Sequence, residues 1–265
     1  MPEPRYQEIA EDLRTKIESG ELPETPGGPL PSEPDLKELY GVSRNTIRDA
    51  VKWLVNGGLI ETRPGHGTFV IEPPNPFVST LTRDPGTGET SVYVAEVTTG
   101  GRTPQASDVR VTVESATPDL ADILRIKEGD RLVLRHQQRL IDGVPYSRQT
   151  SFYPMSLVDR GASRLMDDRD IEEGAVAYIA KECGIRQVGY RDTIAVRVPD
   201  RDEAAFFKLP SDGRVSVFEI YRIAFDHNGD RLRLTVTVYP SDRNRFVVNV
   251  GDVPTMASNT STGKE

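Results

Sequence analysis

Apolar positions fall at helical spacing through the N-terminal part of the chain. Tyr6, Ile9, Ala10, Leu13 and Ile17 line one face of a predicted helix over residues 4–19, which Gly20 ends. A Pro/Gly-rich loop follows over residues 22–31. Ser32 then opens S-E-P-D, a start resembling a capping box with an acid three residues on. The second helix is short, is expected to turn Leu36 and Leu39 inward, and stops at Gly41. Ser43 is a good N-cap for a third helix over residues 44–56, with Ile47, Ala50, Val51, Leu54 and Val55 as its apolar stripe. Two helices joined by Tyr40-Gly41-Val42-Ser43 make a helix-turn-helix, whose second helix enters the major groove. After Gly57-Gly58 the chain reads LIETR, PGHG and TFVI, two short strands around a tight turn. A hairpin placed directly after a recognition helix is a wing.

Residues 1–71 are therefore expected to form one domain. Residues 72–91 are rich in Pro, Gly, Ser and Thr with little periodicity, and read as a linker. From 92 to 250 strand patterns dominate, with three helical insertions. Strands are expected over 91–98, 106–114, 131–141 and 145–153, the last two joined at Asp142-Gly143. Short helices are expected over 117–125, 171–182 and 200–208. Two closing strands, over 215–226 and 230–239, turn at Asn228-Gly229. The tail, 251–265, is small and polar and is expected to be disordered.

The net charge of −8 restricts DNA binding to a local basic face rather than a global field. Such a face exists on the third helix. Arg44, Arg48 and Lys52 fall at i, i+4 and i+8, opposite the apolar stripe, with Asn45 and Thr46 in the first turn. Arginine reads guanine bidentately, while hydroxyls and backbone N–H groups hold phosphate. Arg63 and His66 stand at the wing.

The run from Pro31 to Val70, P-S-E-P-D-L-K-E-L-Y-G-V-S-R-N-T-I-R-D-A-V through the wing G-H-G-T-F-V, resembles the DNA-binding domain of GntR-family bacterial regulators. The resemblance implies contacts from Ser43, Arg44, Asn45, Thr46 and Arg48, with Gly65 and His66 at the wing tip. Many members carry Arg where this chain has Pro34, so one contact from the second helix is expected to be missing.

In the second half, LRHQQRLIDGVPYSRQTSFYP and VFEIYRIAFDHNGDRLRLTVTVYPSDRNRF resemble the two hairpins of the UTRA effector-binding domain of the HutC-type GntR branch. This resemblance implies an α+β chain: a winged helix-turn-helix followed by an α/β domain on an antiparallel sheet related in shape to chorismate lyase. It also implies a small-molecule pocket and a homodimer. Strand alternation locates a pocket separately. One face of strand 131–141 carries Leu132, Leu134 and Leu140, and the other carries Arg135, Gln137 and Arg139. On the partner strand Ser147, Gln149 and Ser151 share a face. Polar groups converging on a half-buried sheet face suit a polar ligand. Glu219 and Tyr221 are candidates to add an acceptor and a hydroxyl. Relatives that bind phosphosugars offer two arginines and a glutamate on this hairpin; here Gln137, Arg139 and Gln149 stand instead, which weakens a phosphate site.

His66, His136 and His227 form no metal-ligand spacing, and a single cysteine, Cys183, excludes an intramolecular disulfide; no cofactor is expected. No apolar run is long enough to span a membrane, and the N-terminus lacks a signal-peptide core, so a cytoplasmic location is expected. The leading expectation is a homodimeric repressor, not an enzyme, released from a short inverted-repeat operator by a small polar or anionic effector. The alternative is a repressor whose second domain only dimerises.

Overall fold

In a computed structural model the described residues are 4–23, 28–70, 76–82, 84–210, 213, 215–251 and 253. They divide into two compact units, the first ending at Asn75 and the second beginning at Pro76.

The first unit contains α1 (Arg5–Glu18), α2 (Glu33–Tyr40), α3 (Arg44–Asn56), β1 (Ile60–Arg63) and β2 (Gly67–Val70). Its core is Ile9, Ala10 and Leu13 from α1, Leu30, Leu36 from α2, Ile47, Ala50 and Leu54 from α3, and Ile60 from the wing. The helical period alone brings these residues together. Ser32 caps α2 in a full capping box with Asp35, and Gly41 ends that helix in the left-handed region at φ 61°. Leu39 departs from the expectation: it is 63% exposed. Helix α2 has only eight residues, and Leu36 alone of its leucines reaches the core. The wing strands pair antiparallel from Ile60↔Val70 to Arg63↔Gly67, and Pro29 bridges to Phe69 alongside them.

The second unit is built on a twisted sheet ordered β4-β6-β7-β10-β9-β8, with β5 also pairing β6. Its strands are β4 (Pro104–Ala106), β5 (Arg110–Ser115), β6 (Arg131–Ile141), β7 (Val144–Pro154), β8 (Gln187–Arg197), β9 (Val217–Asp226) and β10 (Arg231–Pro240). All its pairings are antiparallel. A separate parallel pair joins β3 (Phe77–Thr80) to β11 (Asn244–Val247). The helices are α4 (Glu89–Thr99), α5 (Pro118–Leu124), α6 (Met155–Asp159), α7 (Ala175–Cys183) and α8 (Arg201–Phe207), with a 3-10 turn at Ser163–Met166. The largest core packs Val133, Tyr153 and Ala224 of the sheet against Leu157, Leu165, Tyr178 and Ile179.

Three expectations are corrected here. The stretch expected as linker contains β3 and the start of α4; residues 71–75 lie outside the described residues. The strand expected over 91–98 is helix α4. Its β-branched residues cost at most about 0.7 kcal/mol each in a helix, which burial of Tyr93 and Val97 one turn apart outweighs. The strand expected over 106–114 is two strands, broken where Ser107 N–H turns to donate to the Gln138 carbonyl. Most of the tail expected to be disordered lies outside the described residues.

Candidate functional site

The basic stripe on α3 is held from the neighbouring helix. Ser43 caps α3 by accepting from the Thr46 N–H at 3.2 Å, which directs the first turn outward with Arg44 and Asn45 exposed. Glu33, at the start of α2, accepts from Arg44 Nε at 3.1 Å and from Arg48 Nε at 3.2 Å through the same oxygen. The two guanidinium groups are thus brought to one point while staying exposed. Lys52, one turn on, is also exposed. On the wing, Arg63 pairs with Glu61 at 2.6 Å and lies over the Phe69 ring at 4.3 Å. Gly65 (φ 76°) and Gly67 (φ 108°) make the turn that exposes His66 at the tip, a conformation that favours glycine at both places. The expected DNA-reading residues therefore lie on two neighbouring elements of one small unit. Glu33 was not expected in this arrangement; its place just before Pro34 concealed it among capping residues.

In the second unit the register of β6 and β7 puts Arg135 opposite Ser151, Gln137 opposite Gln149 and Arg139 opposite Ser147. All six share one face of the sheet. Two clefts open on this face. One is lined by Arg139, Tyr93, Glu96, Tyr146, Arg222 and Thr235 among others. The second is lined by Arg135, Gln137, Gln149, Ser151, Thr90 and Asp170 among others. Glu89, the first residue of α4, lines both.

The six residues have different roles. Arg135 is committed to the fold: its guanidinium donates to the carbonyls of Arg164, Leu165, Asp167 and Arg169, at 2.7–3.3 Å. Burial pulls its pKa down from the ordinary arginine value. Arg139 is only 2% exposed, donates to Thr90 Oγ1 at 3.0 Å and lies over the Tyr93 ring. Its Nε has no partner, nor do the buried Ser147 Oγ and Gln149 Oε1. Gln137 reaches Ser107 O and Asp170 Oδ2 only at 3.4 Å. Unpartnered donors and acceptors in one patch are uncommon in native proteins, where buried polar groups are paired.

Glu219 and Tyr221 are not in this patch. They sit opposite Val238 and Val236 of β10, whereas Thr235 and Thr237 face the clefts opposite Arg222 and Ile220. On the reverse face Glu219 accepts from Arg197 at 2.7 Å and from the Tyr221 hydroxyl at 2.8 Å, beside α8. Strand β9 is apolar on both faces, so alternation alone does not choose between them. The bulge between Arg231 and Arg233 does: it shifts the register that follows the Asn228-Gly229 turn and sets Arg222 opposite Thr235, on the cleft face. Arg222 binds Asp192 through two bonds of 2.7 Å and approaches Glu89 at 3.6 Å, while Arg233 donates to Glu89 at 2.6 Å. Burial alone would raise the Glu89 carboxyl, but Arg233 and Arg222 hold it down at about 2.

No group of three or more His, Cys, Asp or Glu side chains suited to a metal ion occurs among the described residues. Residues 5–70 match the family model of bacterial regulatory proteins, gntR family, and residues 99–245 match that of the UTRA domain. The chain belongs to the GntR family. It is 27% identical to the HTH-type transcriptional repressor NagR of Bacillus subtilis, across 93% of this chain and 94% of that protein. It is 25% identical to the HTH-type transcriptional regulator GgaR of Escherichia coli, across 92% and 90%. A crystal structure of a GntR-family transcriptional regulator superposes with a TM-score of 0.71 at 25% identity, covering 95% of this chain and 99% of that one. This GntR protein is thus a DNA-binding transcription regulator with a UTRA effector domain, a non-enzymatic class. Among its described residues no helix is long and apolar enough to cross a membrane.

Proposed function

We propose that this protein is a homodimeric repressor that leaves its operator when a small polar or anionic effector binds the clefts beside Arg139. The carrying observation is the patch of Arg139 Nε, Ser147 Oγ and Gln149 Oε1, three buried polar atoms without partners on adjoining positions of two strands. Together they ask for a ligand that presents both acceptors and donors. Gln137 and Ser151 would complete the contacts, and Arg135 would hold the wall of the second cleft.

The DNA contacts would come from Ser43, Arg44, Asn45, Thr46, Arg48 and Lys52 on the recognition helix and from Arg63, Gly65 and His66 on the wing. The first domain, residues 1–71, carries eight basic and twelve acidic residues, so its affinity rests on a few focused contacts. That balance favours two heads on a short inverted repeat over one head acting alone. Residues 92–250 would supply the dimer contacts, and the linking segment is shortened from the expected 72–91 by β3 and α4.

Release requires that the effector bind the free protein more tightly than the operator complex. A thermal-shift screen with hydroxy acids, sugar phosphates and sugar acids finds the ligand, because a true one raises the melting temperature by mass action. The hit is then titrated with and without an operator selected from random DNA. Tighter binding without operator supports the reading, and equal affinities sink it. If the whole panel leaves the melting temperature unmoved, the dimerisation-only alternative takes its place.

A further inference from the structure

Glu89 occupies an unusual place. Among the described residues it alone lines both clefts, and it opens helix α4. The first turn of that helix is clamped by two arginines from the sheet: Arg233 holds Glu89 at 2.6 Å and Arg139 holds Thr90 at 3.0 Å. Thr235 lines one cleft and Ser151 the other, and their hydroxyls meet at 3.2 Å between them. The Glu89 turn is therefore the partition between two polar spaces.

The arginines beneath it are unequally supplied. Arg222 has a carboxylate of its own in Asp192, bound through two hydrogen bonds. Arg233, only 2% exposed, has its other contacts with neutral groups, Thr235 and Gln187. Among the described residues Glu89 is its one ion-pair partner. A charge buried so deeply is costly unless an anion sits against it. Glu89 itself is less sealed, its side chain being 17% exposed, and it stands at a helix end rather than in a strand. Arg222 lines the first cleft beside Glu89, while Arg233 lies behind Glu89 as its ion-pair partner, so an acidic group that enters this cleft and takes the place of the Glu89 carboxylate meets both arginines.

We propose that the Arg222–Arg233 pair is an anion-binding subsite at the inner end of the first cleft, and that Glu89 fills it as an internal competitor which an oxyanion of the effector displaces. This rests on the effector reading above and adds the arginines that take the effector's acidic group. It also assigns Glu89 a role in selectivity. A ligand gains from the pair only if its anion outcompetes a tethered carboxylate, so weakly acidic or neutral ligands are left with the Arg139 patch.

The test uses the full chain, without DNA, and inorganic phosphate as probe, titrated at constant ionic strength by calorimetry and followed by melting temperature. Wild type should bind phosphate weakly. Glu89→Gln should melt lower than wild type in chloride, and bind phosphate about tenfold more tightly, a gain of ~1.4 kcal/mol. Arg233→Met should not bind it. Equal affinity of wild type and Glu89→Gln would overturn the proposal, as would binding that survives in Arg233→Met, since that places phosphate elsewhere. Should Glu89→Gln not fold, Glu89→Asp keeps the charge but withdraws it by one methylene, and a folded Asp variant with no gain is equally fatal. Operator release plays no part in these readings. Phosphate binding that follows this pattern, without any effector that frees the operator, would remove the regulatory reading and leave the subsite.

Discussion

Arg48 donates through Nε to Glu33 at 3.2 Å, across the turn that separates the two helices of the DNA-reading motif. Arg44 shares the same carboxylate oxygen at 3.1 Å. An exposed ion pair of this kind adds little to stability, roughly 0–1 kcal/mol. What it does is fix the direction of two long side chains before DNA arrives, and keep one negative charge beside them. Glu33→Gln should therefore melt with wild type, bind random duplex more tightly, and lose part of its preference for operator. Fluorescence anisotropy on selected and scrambled duplexes measures that ratio; an unchanged ratio would show that Glu33 orients nothing.

Arg48→Ala should abolish operator recognition while leaving the fold intact, because its side chain is exposed and contributes nothing to the core of the first unit. A lost bidentate base contact costs ~1–3 kcal/mol at each half-site. Footprinting by a variant with wild-type circular dichroism decides it, and a retained footprint would remove Arg48 from the contact set.

With few basic residues on an acidic head, operator affinity should fall only modestly as salt rises. The slope of log K against log salt reports about 0.9 per phosphate neutralised. Steep slopes, like those of proteins making about ten phosphate contacts, would mean that further cations outside the α3 stripe and the wing contribute.

Arg135→Met should destabilise the second unit rather than alter its ligand preference. Four backbone carbonyls, from Arg164 to Arg169, lose a charged donor at once. The Leu165 carbonyl is the buried one of the four, and a buried acceptor left unsatisfied costs ~1–3 kcal/mol. A clear fall in melting temperature is expected, and a variant of unchanged stability with weakened effector binding would move Arg135 from wall to contact.

Acid should weaken the fold through Glu89. Its carboxyl is held near 2 in the folded chain against an ordinary value of 4.5. A depressed pKa stabilises above the unfolded value, and that stabilisation is lost as pH falls from about 4.5 toward 2. Glu89→Gln, which has no such group, should show a flatter decline over that window in chemical denaturation. Parallel declines would mean that other carboxylates set the acid limit.

The reading head was legible because its signals are local. Ser32, Gly41 and Ser43 mark helix ends by their own chemistry, and the stripe Ile47, Ala50 and Leu54 follows from a single period. Strand alternation likewise places Arg135, Gln137 and Arg139 on one face of β6 and Ser147, Gln149 and Ser151 on one face of β7. That they oppose one another depends on a bulge between Arg139 and Leu140, which shifts the register that the Asp142-Gly143 turn alone would set. What escaped depends on partners distant in sequence. Helix α4 looks like a strand until Tyr93 finds the carbonyls of Gln105 and Leu140. Leu39 looks like core until eight residues prove too few to bury both leucines. Glu89 and Arg233 lie far apart along the chain, and nothing around either announces the other.

The parallel pairing of β3 with β11 bears on how the protein is made. As the chain emerges from the ribosome, the reading head is complete once Val70 is out and can fold at once. Strand β3, a few residues later, must wait until the strands of the main sheet and then its own partner over Asn244–Val247 have been made. The start of the second unit is therefore fastened only after the rest of its strands exist. A nascent chain stalled before residue 244 would carry a finished reading head followed by a second unit whose first strand is still without its partner.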